Sequence, residues 1–369
     1  YIILPITAHG QAIAVGVKSH VLYSRLLTAA DYWNLLNLKT TTEISNFLRD
    51  TEGYKDALSG LSTDHVHRVD LQNALKTTVR RVGTAFLPYI SGPMFKLFTS
   101  CLAWYEAEEL KNIFRWIRSR RLTPDEMKQK LSYMECSKIP FYELIDSTNF
   151  DDALEKLKDT KYFKVLKEPV KKLMGGEKSL FSLELAIDNL VETEICKNLN
   201  ELPFAERSLL EPLFGLRLDL LNLYHFHRCS IYYHMTIEEI LSQMLSVSYK
   251  VKFHHLREMS EGKTWQEHLE ILEQLFPVYA NIFSEALNHP DKELALETSI
   301  ERYKYKMTLS VFQKGAPGFH TAMAYFLIKT QEVDDIIRII ENVRYGYSRD
   351  ESAAYLIRPI TDGGVPIWQ

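Results

Sequence analysis

The stretch Glu109-Leu110-Lys111-Asn112-Ile113-Phe114-Arg115-Trp116-Ile117 is written three times in this chain. It returns after 110 residues as Asp219-Leu220-Leu221-Asn222-Leu223-Tyr224-His225-Phe226-His227. After a further 113 residues it returns as Glu332-Val333-Asp334-Asp335-Ile336-Ile337-Arg338-Ile339-Ile340. Each copy opens on an acid and an aliphatic residue, places Asn or Asp three positions on, and runs apolar with a basic residue at the seventh position. A nearly constant period this long exceeds the ~20–50 residues of solenoid units and points to triplicated domains.

Positions three apart are neighbours on a helix surface. Glu109, Asn112 and Arg115 therefore form a slanting polar stripe, as do Asp219, Asn222 and His225, and Glu332, Asp335 and Arg338. One copy alone reads as an ordinary amphipathic helix. Three copies favour a structural role, in which part-buried hydrogen bonds tie each helix to its bundle neighbour, because a solvated face need not keep such a pattern.

Other markers recur in the same order. Thr40 and Glu43 form a Thr-x-x-Glu capping box, in which each partner satisfies the other's backbone N–H. Asn149 with Asp152 takes its place in the second copy, and Thr264 with Glu267 in the third. Asp50-Thr51 is matched by Asp159-Thr160. The expected domains are residues 1–122, 123–235 and 236–369, the last including a C-terminal tail, with no low-complexity linker between them. Residues 15–30 read as a helix with Val17, Val21, Leu22 and Leu26 on one face. Pro124, after Thr123, sits where a helix's first turn tolerates a missing N–H.

With only 15 glycines in 369 residues and an abundance of Leu, Glu, Lys and Ala, the expected class is all-α. A net charge of −4 offers no electrostatic case for nucleic acid. Cys101, Cys136, Cys196 and Cys229 include no Cys-x-x-Cys pair and suit free thiols in a reducing compartment. The apolar opening, residues 1–17, is broken by Pro5, His9, Gly10 and Gln11, too soon for a membrane span, and it lacks the basic leading segment of a signal peptide. The chain opens on Tyr1 rather than Met.

Chemistry is thinly represented. His225 and Cys229 lie one helical turn apart, but with His227, His234 and the pair His254-His255 they complete no four-ligand zinc pattern. Arg115 and Arg338 stand where the second copy has His225, so the imidazole reads as a basic substitute. Asp151, Asp152 and Glu155 resemble a magnesium-holding cluster, yet acids in a first helical turn are favoured by the helix dipole alone. Arg80, Arg81, Arg118, Arg120 and Arg121 could touch phosphates, though solvated helix ends explain them as well. There is no phosphate-binding Gly-x-x-x-x-Gly-Lys-Ser/Thr loop and no Gly-x-Ser-x-Gly elbow. No catalytic, cofactor-binding or metal-binding residue is expected.

The ordered markers resemble the V/A-type rotary ATPase family of C subunits, whose eukaryotic vacuolar homologues are the d subunits. The likeness is clearest in Ser24-Arg25-Leu26-Leu27-Thr28 to Asp31-Tyr32, in Phe47-Leu48-Arg49-Asp50-Thr51 to Tyr54, and from Tyr325 to Ile340. There the family tends to write a Tyr-containing helix leading into Glu-x-x-Asn-aliphatic-Arg. This chain keeps Glu332 and Arg338 but has Asp335 for Asn, and its middle copy has Asp219 and His225. The resemblance implies three helical-bundle domains in a funnel about a pseudo-threefold axis. It also implies a non-catalytic adapter on the cytoplasmic face of the membrane, without a span, cofactor or nucleic acid. Its partners would be membrane rotor ring subunits and central-stalk subunits, and its task to transmit torque for proton or sodium transport or for ATP synthesis. Two rivals are a helical scaffold for other proteins, which the long period disfavours, and a helical metal-dependent enzyme built on the His225 or Asp151 groups.

Overall fold

The structure, a computed structural model, describes residues 7–131, 137–358 and 360; Cys136 and the two chain ends lie outside them. The fold is all-α: among the described residues it comprises nineteen α-helices, one 3-10 turn and one π-helical turn. No helix among these residues is long and apolar enough to cross a membrane. The chain forms two compact units, each assembled from separated segments. One contains Tyr1–Phe95, Phe204–Leu213 and Asn288–Gln369, and the other Lys96–Pro203 and Phe214–Leu287.

In the first unit the long helix Phe319–Tyr345 is the core element, with Phe319, Phe326, Ile336 and Ile340 wholly buried. Helices Ala8–Tyr23, Arg68–Thr84 and Lys292–Phe312 pack against it. Helix Ala8–Tyr23 approaches closely enough that a Cβ at Gly16 would lie 2.6 Å from the Pro317 carbonyl carbon. Small residues therefore face inward: Ala12, Gly16 and Ser19 are buried beside Val15.

That close approach corrects the reading of residues 15–30. The helix ends at Tyr23, and a new one, Ala29–Asn37, starts at a Thr28–Asp31 capping box that breaks the expected run. Val17 and Val21 are 50% and 54% exposed, and the inner face is carried by Ala12, Val15, Gly16 and Ser19 instead.

In the second unit, helices Tyr162–Met174 and Phe181–Asn200 pack together. Side chains from Gly92–Ser119 and Phe204–His227 reach the latter helix. The buried Glu192 carboxylate accepts bonds from the Arg217 guanidinium at 2.8 Å and the Trp104 indole N–H at 3.1 Å. Gly215 leaves room for the Tyr249 ring, which a Cβ there would penetrate.

Two further features recur with the same period. Thr123–Glu126, Thr236–Glu239 and Ser348–Glu351 are capping boxes at steps of 113 and 112 residues, each opening the short helix after a signature helix. Between signature helix and box lies a left-handed residue: Arg120 (φ 47°), His234 (φ 51°) and Gly346 (φ 71°). Arg120 donates to the Ser147 and Thr148 carbonyls and covers the Trp116 ring at 4.2 Å, contacts that offset its backbone strain. His234 is exposed and stays left-handed at the usual cost of ~1–2 kcal/mol for an L-residue. His234→Gly should therefore raise stability by about 0.5–1 kcal/mol, read as a higher denaturant midpoint.

Candidate functional site

The second and third signature stripes hold other segments of the chain through buried polar bonds. In the third copy, Glu332 accepts from the Leu27 backbone N–H at 2.7 Å, the Tyr54 hydroxyl at 2.7 Å and the Lys329 ammonium at 2.8 Å. Both members of the Lys329–Glu332 pair are 3% exposed, and Lys329 also lies 3.7 Å from the Tyr54 ring centre. Burial and the facing Glu332 carboxylate hold the Tyr54 phenol well above its ordinary value, so it stays a donor.

The second copy repeats this arrangement. Asp219 accepts from the backbone N–H groups of Tyr249, Lys250 and Val251 at 3.0, 2.9 and 3.2 Å, and from the Tyr279 hydroxyl at 2.9 Å. Leu27 and Val251 occupy matching places, each directly before the N-cap residue of a short helix, Thr28 and Lys252 respectively. The acid thus takes the same N–H, and a tyrosine hydroxyl, from the next copy in order, with the third copy taking them from the first. In the first copy Glu109 is buried, and a buried tyrosine from the following copy, Tyr162, brings its hydroxyl towards Glu106, one helical turn earlier.

In the second and third copies the middle position latches the segment after the short helix. Asn222 accepts from Leu245 N–H at 3.0 Å and donates to the Val247 carbonyl at 3.3 Å. Asp335 accepts from Ile357 N–H at 2.6 Å and Arg358 N–H at 2.9 Å. This accounts for the Asp in place of Asn in the third copy: Ile357 N–H meets one oxygen and Arg358 N–H the other, and an amide would turn its NH2 donor towards one of these two donors. Asn112 accepts from Arg115 of its own helix at 3.2 Å. Asn222→Ala, which orphans a buried N–H, should cost about 1–3 kcal/mol in denaturant unfolding.

The seventh position varies in use. Arg115 makes a two-pronged bond to Glu184 at 2.7 and 2.9 Å on an exposed face. Arg338 donates to the Tyr355 carbonyl at 2.8 Å. His225 packs edge-on against Phe181, and burial pushes its pKa down to about 4. It is neutral at pH 7 and so lacks the charge of the arginines at its matching positions, which corrects its reading as a basic substitute.

Burial raises Asp335 to about 7 despite its two backbone donors. A carboxyl whose folded pKa lies above its unfolded one binds the proton more tightly when folded. Its contribution is fully present below the ordinary carboxylate range and is lost as pH rises through about 7. Asp335→Asn should therefore flatten the fall in melting temperature between about pH 4 and 7, measured by thermal scans across that range.

The three caps read from the sequence open the helices Thr41–Arg49, Phe150–Lys156 and Trp265–Leu275. Thr40 accepts from Glu43 N–H at 3.1 Å, Asn149 from Asp152 N–H at 2.9 Å and Thr264 from Glu267 N–H at 3.2 Å. The returning carboxylates reach the residue before the cap in every copy: Lys39 at 2.7 Å, Thr148 at 2.8 Å and Lys263 at 2.6 Å. Glu43 alone also reaches the cap's own N–H, at 3.0 Å. These backbone bonds hold Glu43 and Asp152 below the usual carboxylate range.

The remaining sites weighed in the sequence take structural places. His227 is buried with its ring centre 4.1 Å from that of Trp265, and burial pushes it down to about 3. Arg80 is buried rather than presented to a ligand. No group of three or more His, Cys, Asp or Glu side chains able to hold a metal ion occurs among the described residues. The arrangement binds backbone to side chain within the protein, and its chemistry is that of satisfied buried donors and acceptors.

The family model described as ATP synthase (C/AC39) subunit matches residues 16–355. No curated protein matches the chain.

Proposed function

The chain belongs to the ATP synthase (C/AC39) subunit family, and on that premise we propose that it is a non-catalytic central-rotor adapter of a V/A-type ATPase. It links the central stalk to the membrane rotor ring, as a peripheral subunit on the cytoplasmic face, and transmits torque between them. The observation that carries this reading is the family match, which spans all three copies of the signature.

Physical features support it. A part that passes torque must resist shear, and stiffness comes from packed helices joined by buried, directional bonds rather than by loose loops. Glu332 and Asp219 supply such bonds between segments 305 and 32 residues apart. These links, Asp219 holding the third copy and Glu332 holding the first, support a repeat organisation of three domains at about residues 1–122, 123–235 and 236–369. An adapter of this kind needs neither a nucleophile nor a metal, and its ion specificity belongs to the ring.

Co-purification tests the assignment. The full chain, expressed with rotor ring and central-stalk subunits, should be recovered in a stable complex with both. Recovery of an assembled complex from which this chain is missing would overturn the proposal.

A further inference from the structure

Helix Tyr162–Met174 breaks the equivalence of the three copies. The matching segments are the short helices Lys55–Leu58, with one lysine and one aspartate, and Pro277–Ser284, which has no charged residue. In the second copy the segment is a thirteen-residue helix with Lys164, Lys167, Lys171 and Lys172 against the single acid Glu168, in a chain whose net charge is −4. Repetition of the fold does not call for this charge.

The placement of the lysines separates them from folding. Tyr162, Leu166, Val170 and Leu173 are buried on one face of the helix. Lys164, Lys167, Lys171 and Lys172 lie on the other, and Lys178 follows beyond Gly175-Gly176. Lys167 rests on the Phe163 ring at 4.5 Å, and among the described residues none of the five is paired with an acid. Met174 adds 48% of its surface at the end of the row. At the helical rise, Lys164 to Lys172 span ~12 Å, a strip along the helix rather than a pocket.

The residue type narrows the partner. Arginine's planar fork suits two-pronged recognition of a carboxylate or phosphate held in fixed geometry, whereas lysine is a compact, rotatable point charge that needs no fixed geometry. A row of lysines without arginine suits a fluid array of phosphates better than fixed carboxylates on a protein. We propose that the outer face of helix Tyr162–Met174 binds the phosphate-bearing surface of an anionic lipid bilayer. The apolar face of the helix is committed to the protein core, so the attraction is electrostatic and salt-sensitive, acting within a Debye length of ~8 Å at physiological ionic strength. It does not depend on the adapter reading.

Vesicle co-sedimentation of the isolated full chain tests it. Vesicles of phosphatidylcholine with a large fraction of phosphatidylserine should bind the chain at low salt, and those of phosphatidylcholine alone should not. Binding should disappear in high salt. Each lysine near an anionic surface contributes roughly a five-fold factor. The variant Lys164→Gln, Lys167→Gln, Lys171→Gln, Lys172→Gln should therefore lose at least ~100-fold in partition while keeping its melting temperature. The smaller Lys171→Gln, Lys172→Gln variant should fall between it and the parent. Equal partition of parent and variants, or no preference for the anionic vesicles, would overturn the proposal. Binding to polyglutamate without binding to vesicles would overturn it in favour of an acidic protein partner.

Discussion

Glu332→Ala is expected to lower stability by about 3–5 kcal/mol, the usual cost of breaking a buried ion pair by removing one partner. The substitution strands the Lys329 charge, the Leu27 N–H and the Tyr54 hydroxyl together, all taken from water and all served by one carboxylate. In a unit of this size the melting temperature should fall by roughly 10 °C. Glu332→Gln should recover part of the loss, because an amide oxygen still accepts one bond but leaves the ammonium unneutralised. Replacing both charges, Lys329→Met with Glu332→Leu, should cost less than Glu332→Ala alone, since no buried charge is then left unpaired. Hydrogen exchange locates the effect: protection should be lost first around Leu27 and Tyr54, not evenly along the chain.

Asp219→Ala should be nearly as damaging, again about 3–5 kcal/mol, because three backbone N–H groups and the Tyr279 hydroxyl lose one shared acceptor. Asp219→Asn keeps an acceptor oxygen and should lose about half as much. Chemical denaturation of the three proteins side by side reads this order directly. Equal stability of Asp219→Ala and the parent would mean that these bonds do not hold the segment around residues 249–251.

How far this was legible in the residues depends on distance along the chain. Helices, caps and class were readable because their causes are local: Thr40 and Glu43 are three residues apart and satisfy one another. Glu332, Asp219, Asn222 and Asp335 stood out because they recur. What they touch did not, since Leu27 lies 305 residues from Glu332 and no periodic pattern names such a partner. The inner face of helix Ala8–Tyr23 is hidden for a related reason. Valines at helical spacing look like a core stripe, but the neighbouring backbone at Pro317 and Gly318 selects small residues instead. The boxes at Thr123, Thr236 and Ser348 and the left-handed Arg120, His234 and Gly346 were within reach of the period alone. The left-handed positions were hidden by their differing side chains, because a conformation recurs there while the residue type does not.

Coupling of ATP hydrolysis to ion movement tests the adapter role most directly. A rotary ATPase of this family reconstituted in sealed vesicles without this chain should hydrolyse ATP but accumulate no ion, and adding the chain should restore uptake without raising hydrolysis. Full uptake in its absence, or a loss of hydrolysis in the isolated catalytic head on its removal, would contradict a non-catalytic adapter.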